Sequence, residues 1–342
     1  MIKKWLWVLL GIMIFMGIGG FFQQPAIVPI VNNTPVPPSS SPIKPQTANH
    51  TLLADGDQLF AHLQRLNFRR YSHEERSRTR TYITNELRKF GWQPQLEEFP
   101  EGVNIFTQKL GTDKKAGAIL VAAHYDTVPT SPGADDNATG VAVVLEIARL
   151  FKSFPTAKTL QLAFFDQEEI GLLGSKAFVS QPAHLKNLYG AIIMDMLGYA
   201  CYTSGCQKYP AGLPVTPPSE KGDFLVVLGD VENSDLLTAF VNSSENLPKI
   251  LKLPVPLKGL LTPDTLRSDH APFWYQGVGA VLVTDTGNLR NPHYHQPTDI
   301  PQNIHREFFT GTAQIIINAT STLLTEKIDK KLPPALKNNW RL

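Results

Sequence analysis

The chain has 342 residues, a formal net charge of +2, 42% apolar residues and 18% charged residues. That is globular composition with ample material for a buried core. No dominant basic block is present, which excludes a general nucleic-acid footprint.

Lys3 and Lys4 precede an uncharged apolar run, Trp5–Phe22. Basic residues stay cytoplasmic, so the remainder of the chain is expected to be exported. The run just reaches the transmembrane range of about 17–25 residues, which favours an uncleaved signal-anchor over residues 1–22. Gly17, Gly19 and Gly20 leave a cleaved signal peptide open, and with it a secreted or periplasmic protein. Residues 23–50 hold seven prolines and a Ser39–Ser41 run, and read as an extended tether. Residues 51–342 read as one domain without internal repeats.

Ser72 and Glu75 have capping-box spacing, and Gly91 marks a helix stop. The charged run Glu74–Arg80 between them reads as a solvated helix face. Strand-like apolar runs follow at Ala118–Ala123, Leu160–Phe165, Ala191–Met194, Phe224–Leu228 and Ala280–Val283. Helical patterns at Gly140–Phe151 and Gly171–Val179 alternate with them. The expected fold class is α/β: a single domain with a mostly parallel mixed central sheet flanked by helices. Loops at the carboxyl ends of the strands then build the site. Cys201 and Cys206 have the spacing of a small disulfide loop in an oxidising compartment. Segment Leu247–Leu266 is a candidate lid. His73, His184 and His305 lack acidic or histidine company at comparable places and read as surface residues.

Acids and histidines fall where that rule puts a site. His124 and Asp126 follow the first strand, and Asp126 is spaced to fix the imidazole tautomer of His124. Asp135, Asp136 and Asn137 open a helix, where acids also serve as simple caps. Asp166, Glu168 and Glu169 follow the second strand. Adjacent carboxylates repel unless a cation or proton sits beside them. Asp195 ends the third strand, and His293, Tyr294 and His295 lie in a loop after the last. Nitrogen and oxygen donors of this kind suit zinc. A carboxylate shared by two ions places them about 3.5–4 Å apart, the arrangement of two-metal hydrolysis. Each cluster alone is weak evidence; their order and strand-end placement reinforce one another.

In order, these motifs are His124-x-Asp126, Gly133-x-x-Asp136-Asn137-x-x-Gly140, Glu168-Glu169-x-Gly171-x-x-Gly174-Ser175, Asp195 and Tyr294-His295. The series resembles the M28 zinc peptidases, which include secreted bacterial aminopeptidases and the related glutaminyl cyclases. The match runs from about Ala118 to Asp299. The resemblance implies two zinc ions, with Asp136 bridging them, His124 and Asp195 completing one site, and Glu169 and His295 the other. It implies Glu168 as general base and then general acid, and Tyr294 as the group polarising the substrate carbonyl. Asp126 would orient His124, and Asp269 and His270 would support the site from behind. His293 falls outside the ligand set.

Peptide hydrolysis by a metal-bound hydroxide, removing N-terminal residues from a peptide substrate, is the function so implied. The cyclase branch, with one zinc, is the alternative, and a metal-free binding ectodomain is a third. The Asp136–Gly140 and Glu169–Gly171 segments favour the peptidase. Substrate side-chain contacts are expected from the Cys201–Cys206 loop and the Pro210–Pro218 stretch. Oligomeric partners are not readable, and the membrane is a partner only through residues 1–22.

Overall fold

A computed structural model describes residues 52–210 and 219–325. The leader, the tether and most of the Pro210–Pro218 stretch therefore lie outside the described residues. Among the described residues, no helix is long and apolar enough to cross a membrane.

Two helices come first, α1 (Gly56–Arg65) and α2 (His73–Lys89). The Ser72 hydroxyl accepts the Glu75 N–H at 3.2 Å, and the Glu75 carboxylate accepts the Ser72 N–H at 2.8 Å. This reciprocal cap starts α2. The chain leaves the helix through Gly91 at φ 84°. A hairpin of β1 (Gln95–Phe99) and β2 (Gly102–Lys109) follows, then β3 (Ala118–His124), α3 (Gly140–Phe151) and β4 (Thr159–Phe165). Next come α4 (Leu173–Val179), α5 (Pro182–Leu185), β5 (Leu188–Met194), β6 (Phe224–Asp230) and α6 (Ser234–Thr238). The last elements are β7 (Lys249–Val255), α7 (Ala271–Tyr275), β8 (Ala280–Thr284) and α8 (Arg306–Thr325).

All eight strands form one sheet in the order β1-β2-β4-β3-β5-β8-β6-β7. Its centre, β4-β3-β5-β8, is parallel. The β1 and β2 strands pair antiparallel on one flank, and β6 pairs antiparallel with β8 on the other. Every residue of β3 is buried. Ile119, Val121 and Ala123 belong to a core with α3 and α8, while Ala118, Leu120 and Ala122 pack with Phe178, Phe273 and Trp274 on the opposite face. Burial on both faces explains why these strands are continuously apolar.

The structure corrects three sequence expectations. The Glu74–Arg80 run is not wholly solvated: Arg76 and Arg80 are buried and face the fully buried Asp166, at 2.9 and 3.4 Å. Two guanidiniums beside one carboxylate offset the cost of removing it from water. The Leu247–Leu266 segment is no lid over its length, because Lys249–Val255 pairs with β6 as an edge strand. Lysines and a proline on that strand blunt its open edge. His184 is no surface residue: its ring is buried, stacked on Phe178 at 3.9 Å, with Nε2 2.9 Å from Glu97. His305 is half-buried, and its Nδ1 accepts the Phe308 N–H at 3.2 Å, while His73 is exposed. Cys201 and Cys206 form a disulfide with Cα atoms 6.3 Å apart.

Candidate metal centre

The parallel strands end side by side, so residues far apart in the chain converge. His124 closes β3, Glu168 and Glu169 follow β4, and Asp195 follows β5. Asp136 comes from the irregular turn Ala134–Thr139 ahead of α3. This turn shows why its motif needs glycines at both ends. Gly133 sits at φ 62°, and a Cβ there would lie 2.1 Å from the Asp136 carbonyl oxygen. A Cβ on Gly140 would lie 2.4 Å from Asn137 Oδ1. Asn137 donates to the Met194 carbonyl at 2.8 Å and accepts the Gly140 and Met196 N–H groups. One side chain thus ties the Asp136 turn to the strand end bearing Asp195. Gln167, Met196 and His295 all have positive φ, between 57° and 61°. Left-handed non-glycine backbone of this kind concentrates at functional sites.

Two clusters result. His124, Glu168 and Asp195 offer ligand atoms within 4.8 Å of one another, and so do Asp136, Glu169 and His295. Asp136 joins them. Its Oδ1 is 3.3 Å from His124 Nε2, and its Oδ2 is 3.2 Å from His295 Nε2. His124 Nε2 also lies 3.5 Å from Asp195 and 4.0 Å from Glu168, while His295 Nε2 is 3.0 Å from Glu169. Glu168 is thus the outermost carboxylate around His124, which separates it from the tighter contacts of Asp136 and Asp195.

Asp126 is 1% exposed and lies 3.5 Å from His124 Nδ1. Its two oxygens accept the N–H groups of Glu168 and Glu169 at 3.0 and 3.2 Å. It therefore sets the loop bearing both glutamates as well as facing the imidazole. The Asp269 carboxylate accepts the Ser175 hydroxyl at 2.5 Å, and His270 Nε2 is 2.7 Å from the Thr265 carbonyl. Both residues are fully buried. Tyr294 stacks on His295 with ring centroids 3.8 Å apart. His293 instead bonds Thr298 at 2.8 Å, and Asp166 is taken up by its arginines.

Burial and crowded carboxylates set the electrostatics of this assembly. Burial raises Glu168 well above the usual carboxylate range; His124 opposes this, and the charges of Asp195, Asp269 and Glu169 add to it. Burial and Asp136 push Glu169 up to about 7. Burial alone would lower the two histidines, but the carboxylates outweigh it, holding His124 well above its ordinary value and His295 at about 10. Burial would likewise raise Asp136, yet the two imidazoles facing its oxygens hold it far below its usual range. The pocket demands positive charge, from protons or from metal ions. His124 Nε2, His295 Nε2 and Glu169 Oε1 are buried without hydrogen-bond partners. Buried imidazole nitrogens and carboxylate oxygens left unpaired, converging in two sets, fit divalent cations with a preference for nitrogen and oxygen donors.

Three supports escaped the sequence reading. Asp299 is 1% exposed and accepts the N–H groups of Asp135 and Asp136 at 2.8 and 3.1 Å. Arg70, with no exposed surface, donates to the carbonyls of Leu66, Phe68, Tyr125, Pro132 and Gly133. It clamps the segments leading into Asp126 and Asp136. Asp135 and Asp285, both fully buried, interact; burial and each other's proximity raise Asp135 well above its usual range. Asp135 accepts the Gly198 N–H, and Asp285 the Tyr199 N–H. Only Asp135 had a local signal, its place beside Asp136.

Residues 104–217 match the family described as Peptidase family M28. The chain is 29% identical over 228 residues to the uncharacterized protein YfbL of Escherichia coli, covering 61% of this chain and 67% of YfbL. It is 44% identical over 234 residues to aminopeptidase YwaD of Bacillus subtilis, covering 67% of this chain but 45% of that protein. The solved structure of BSAP, a zinc aminopeptidase from Bacillus subtilis, superposes with a TM-score of 0.51 at 27% identity, covering 67% of this chain and 52% of that one. The chain thus spans less than half the length of YwaD.

Proposed function

We propose that the chain, whose residues 104–217 match peptidase family M28, is a zinc-dependent aminopeptidase holding two ions per chain. The observation that carries the reading is the placement of Asp136, with one carboxylate oxygen facing each of two histidines that belong to separate clusters. A shared carboxylate between two nitrogen-and-oxygen pockets is what paired hydrolytic ions require. His124 and Asp195 would complete one pocket, and Glu169 and His295 the other. Zinc there would supply Lewis acidity and bring the pKa of a water towards about 7.

The remaining chemistry falls to the protein. Glu168, the outer carboxylate beside His124, takes the proton of the attacking water. Water oxygen bonds to the peptide carbonyl carbon, the C–N bond breaks, and Glu168 returns the proton to the departing amine. The Tyr294 hydroxyl donates to the carbonyl oxygen as negative charge develops there. Asp126 keeps Glu168 in place through the backbone N–H it accepts, and faces His124 Nδ1. Asp269 and His270 pack behind the site.

An exported domain fits the Cys201–Cys206 disulfide and the Lys3-Lys4 flank of the apolar run. The test is metal content measured with activity on the purified protein. About two zincs per chain and chelator-sensitive release of aminoacyl anilides are expected. One zinc, with cyclisation of N-terminal glutamine and no hydrolysis, would assign the cyclase reaction instead.

A further inference from the structure

We propose that Arg267 is a specificity residue that binds a carboxylate on the leaving residue, so that this site favours short peptides whose negative charge lies directly after the scissile bond. The inference rests on the peptidase reading above. Arg267 is exposed, and its guanidinium lies 3.1 Å from Asn288 Oδ1 and 3.4 Å from the Tyr294 hydroxyl. Both partners are uncharged. Among the described residues, no carboxylate comes within ion-pair distance of it. Two of its donors are used, while a guanidinium carries five. Three buried arginines have evident structural work by contrast: Arg76 and Arg80 pair with Asp166, and Arg70 binds carbonyls. Arg267 alone among these is an open cation beside a group of the proposed reaction.

Geometry sets which carboxylate it reaches. The Tyr294 ring stacks on His295 with centroids 3.8 Å apart, so it borders the acidic pocket. If its hydroxyl donates to the scissile carbonyl, the carboxyl carbon of the following residue lies about 3.5 Å further along an extended chain. Arg267 sits 3.4 Å from that hydroxyl. A chain-terminal carboxylate of a dipeptide meets it there, and so does an acidic side chain on the same residue. A charge-assisted hydrogen bond is about twice as strong as a neutral one. A neutral amide in that place forgoes the gain.

The experiment uses the full-length zinc-loaded protein and two substrate pairs. Leucyl-alanine against leucyl-alanine amide reads the chain terminus, and leucyl-aspartate amide against leucyl-asparagine amide reads the side chain. Calorimetric binding of leucyl-alanine and its amide, each with a reduced scissile bond, gives a readout independent of turnover. The charged member of at least one pair should lead in kcat/KM by about tenfold, as expected for one partly exposed charged hydrogen bond. Arg267→Met should bring that ratio, and the binding ratio, towards one, and Arg267→Lys should retain part of it. Ratios near one in the wild type, or a ratio unchanged in Arg267→Met, would overturn the assignment. Equal slowing of both members would also overturn it, by showing that Arg267 acts only through Tyr294. A binding preference without any hydrolysis would reject the peptidase reading and leave the carboxylate site standing. Hydrolysis without preference would do the reverse.

Discussion

Asp299 accepts the backbone N–H of Asp136 at 3.1 Å, and that of Asp135 at 2.8 Å. The acid that joins the two clusters is thus held by another acid from the far end of the domain. Removing a partner behind a ligand costs about 10–100-fold in metal affinity or activity. Asp299→Ala should lower zinc affinity by about that factor with all proposed ligands intact. Competition against a chromogenic chelator measures it, and an unchanged affinity would show that the Asp136 turn holds itself.

Glu168→Gln should keep both metals and lose about 10²–10⁴-fold in kcat, the usual worth of a positioned acid–base. Asp136→Asn should instead reduce the zinc bound in both clusters. Metal analysis beside turnover separates the two effects. Full activity in Glu168→Gln would remove the assigned base.

Asp166 is fully buried against Arg76 and Arg80 and also accepts the Val103 N–H at 3.0 Å. Asp166→Ala leaves two guanidiniums without their carboxylate, and breaking such a pair costs about 3–5 kcal/mol. Denaturant unfolding of the metal-loaded protein should show this loss. A change below about 1 kcal/mol would mean that water reaches the arginines, as at exposed pairs.

Both ring nitrogens of His184 face acceptors, the Phe178 carbonyl at 3.0 Å and Glu97 at 2.9 Å. Burial lowers its pKa, but these two partners outweigh it and the net shift is upward. A histidine raised on folding contributes stability fully below its unfolded pKa, near 6.5. That contribution is lost as pH rises through the raised value. The stability gap between the wild type and Glu97→Gln should therefore be widest below pH about 6.5 and shrink on the alkaline side. A gap independent of pH would show a neutral imidazole.

Much of the site was legible because its residues sit at strand ends. An apolar run buried on both faces admits no acid, so His124, Glu168, Glu169 and Asp195 could only mark where strands stop. The Gly133–Gly140 motif was legible because its glycines answer to backbone contacts within a few residues. The edge strands β1 and β7 were missed, since they are partly exposed and carry polar or charged residues, and β2 was missed because Asn104, Thr107 and Gln108 break up its apolar residues. The charged α2 residues misled because burial of an arginine depends on its partner. For Arg80 that partner lies 86 residues away.

The sequence by itself determined the kinds of donor available and their order along the chain, because covalent neighbours and the period of apolar residues are local quantities. Tertiary structure decided the pairings. Strand order brought β3, β4 and β5 into contact, and only then could Asp136 face two histidines, 12 and 159 positions away in the chain. It also decided that Asp166 pairs with arginines while Glu168 and Glu169 do not. Charges interact through distance in space, and folding alone sets that distance.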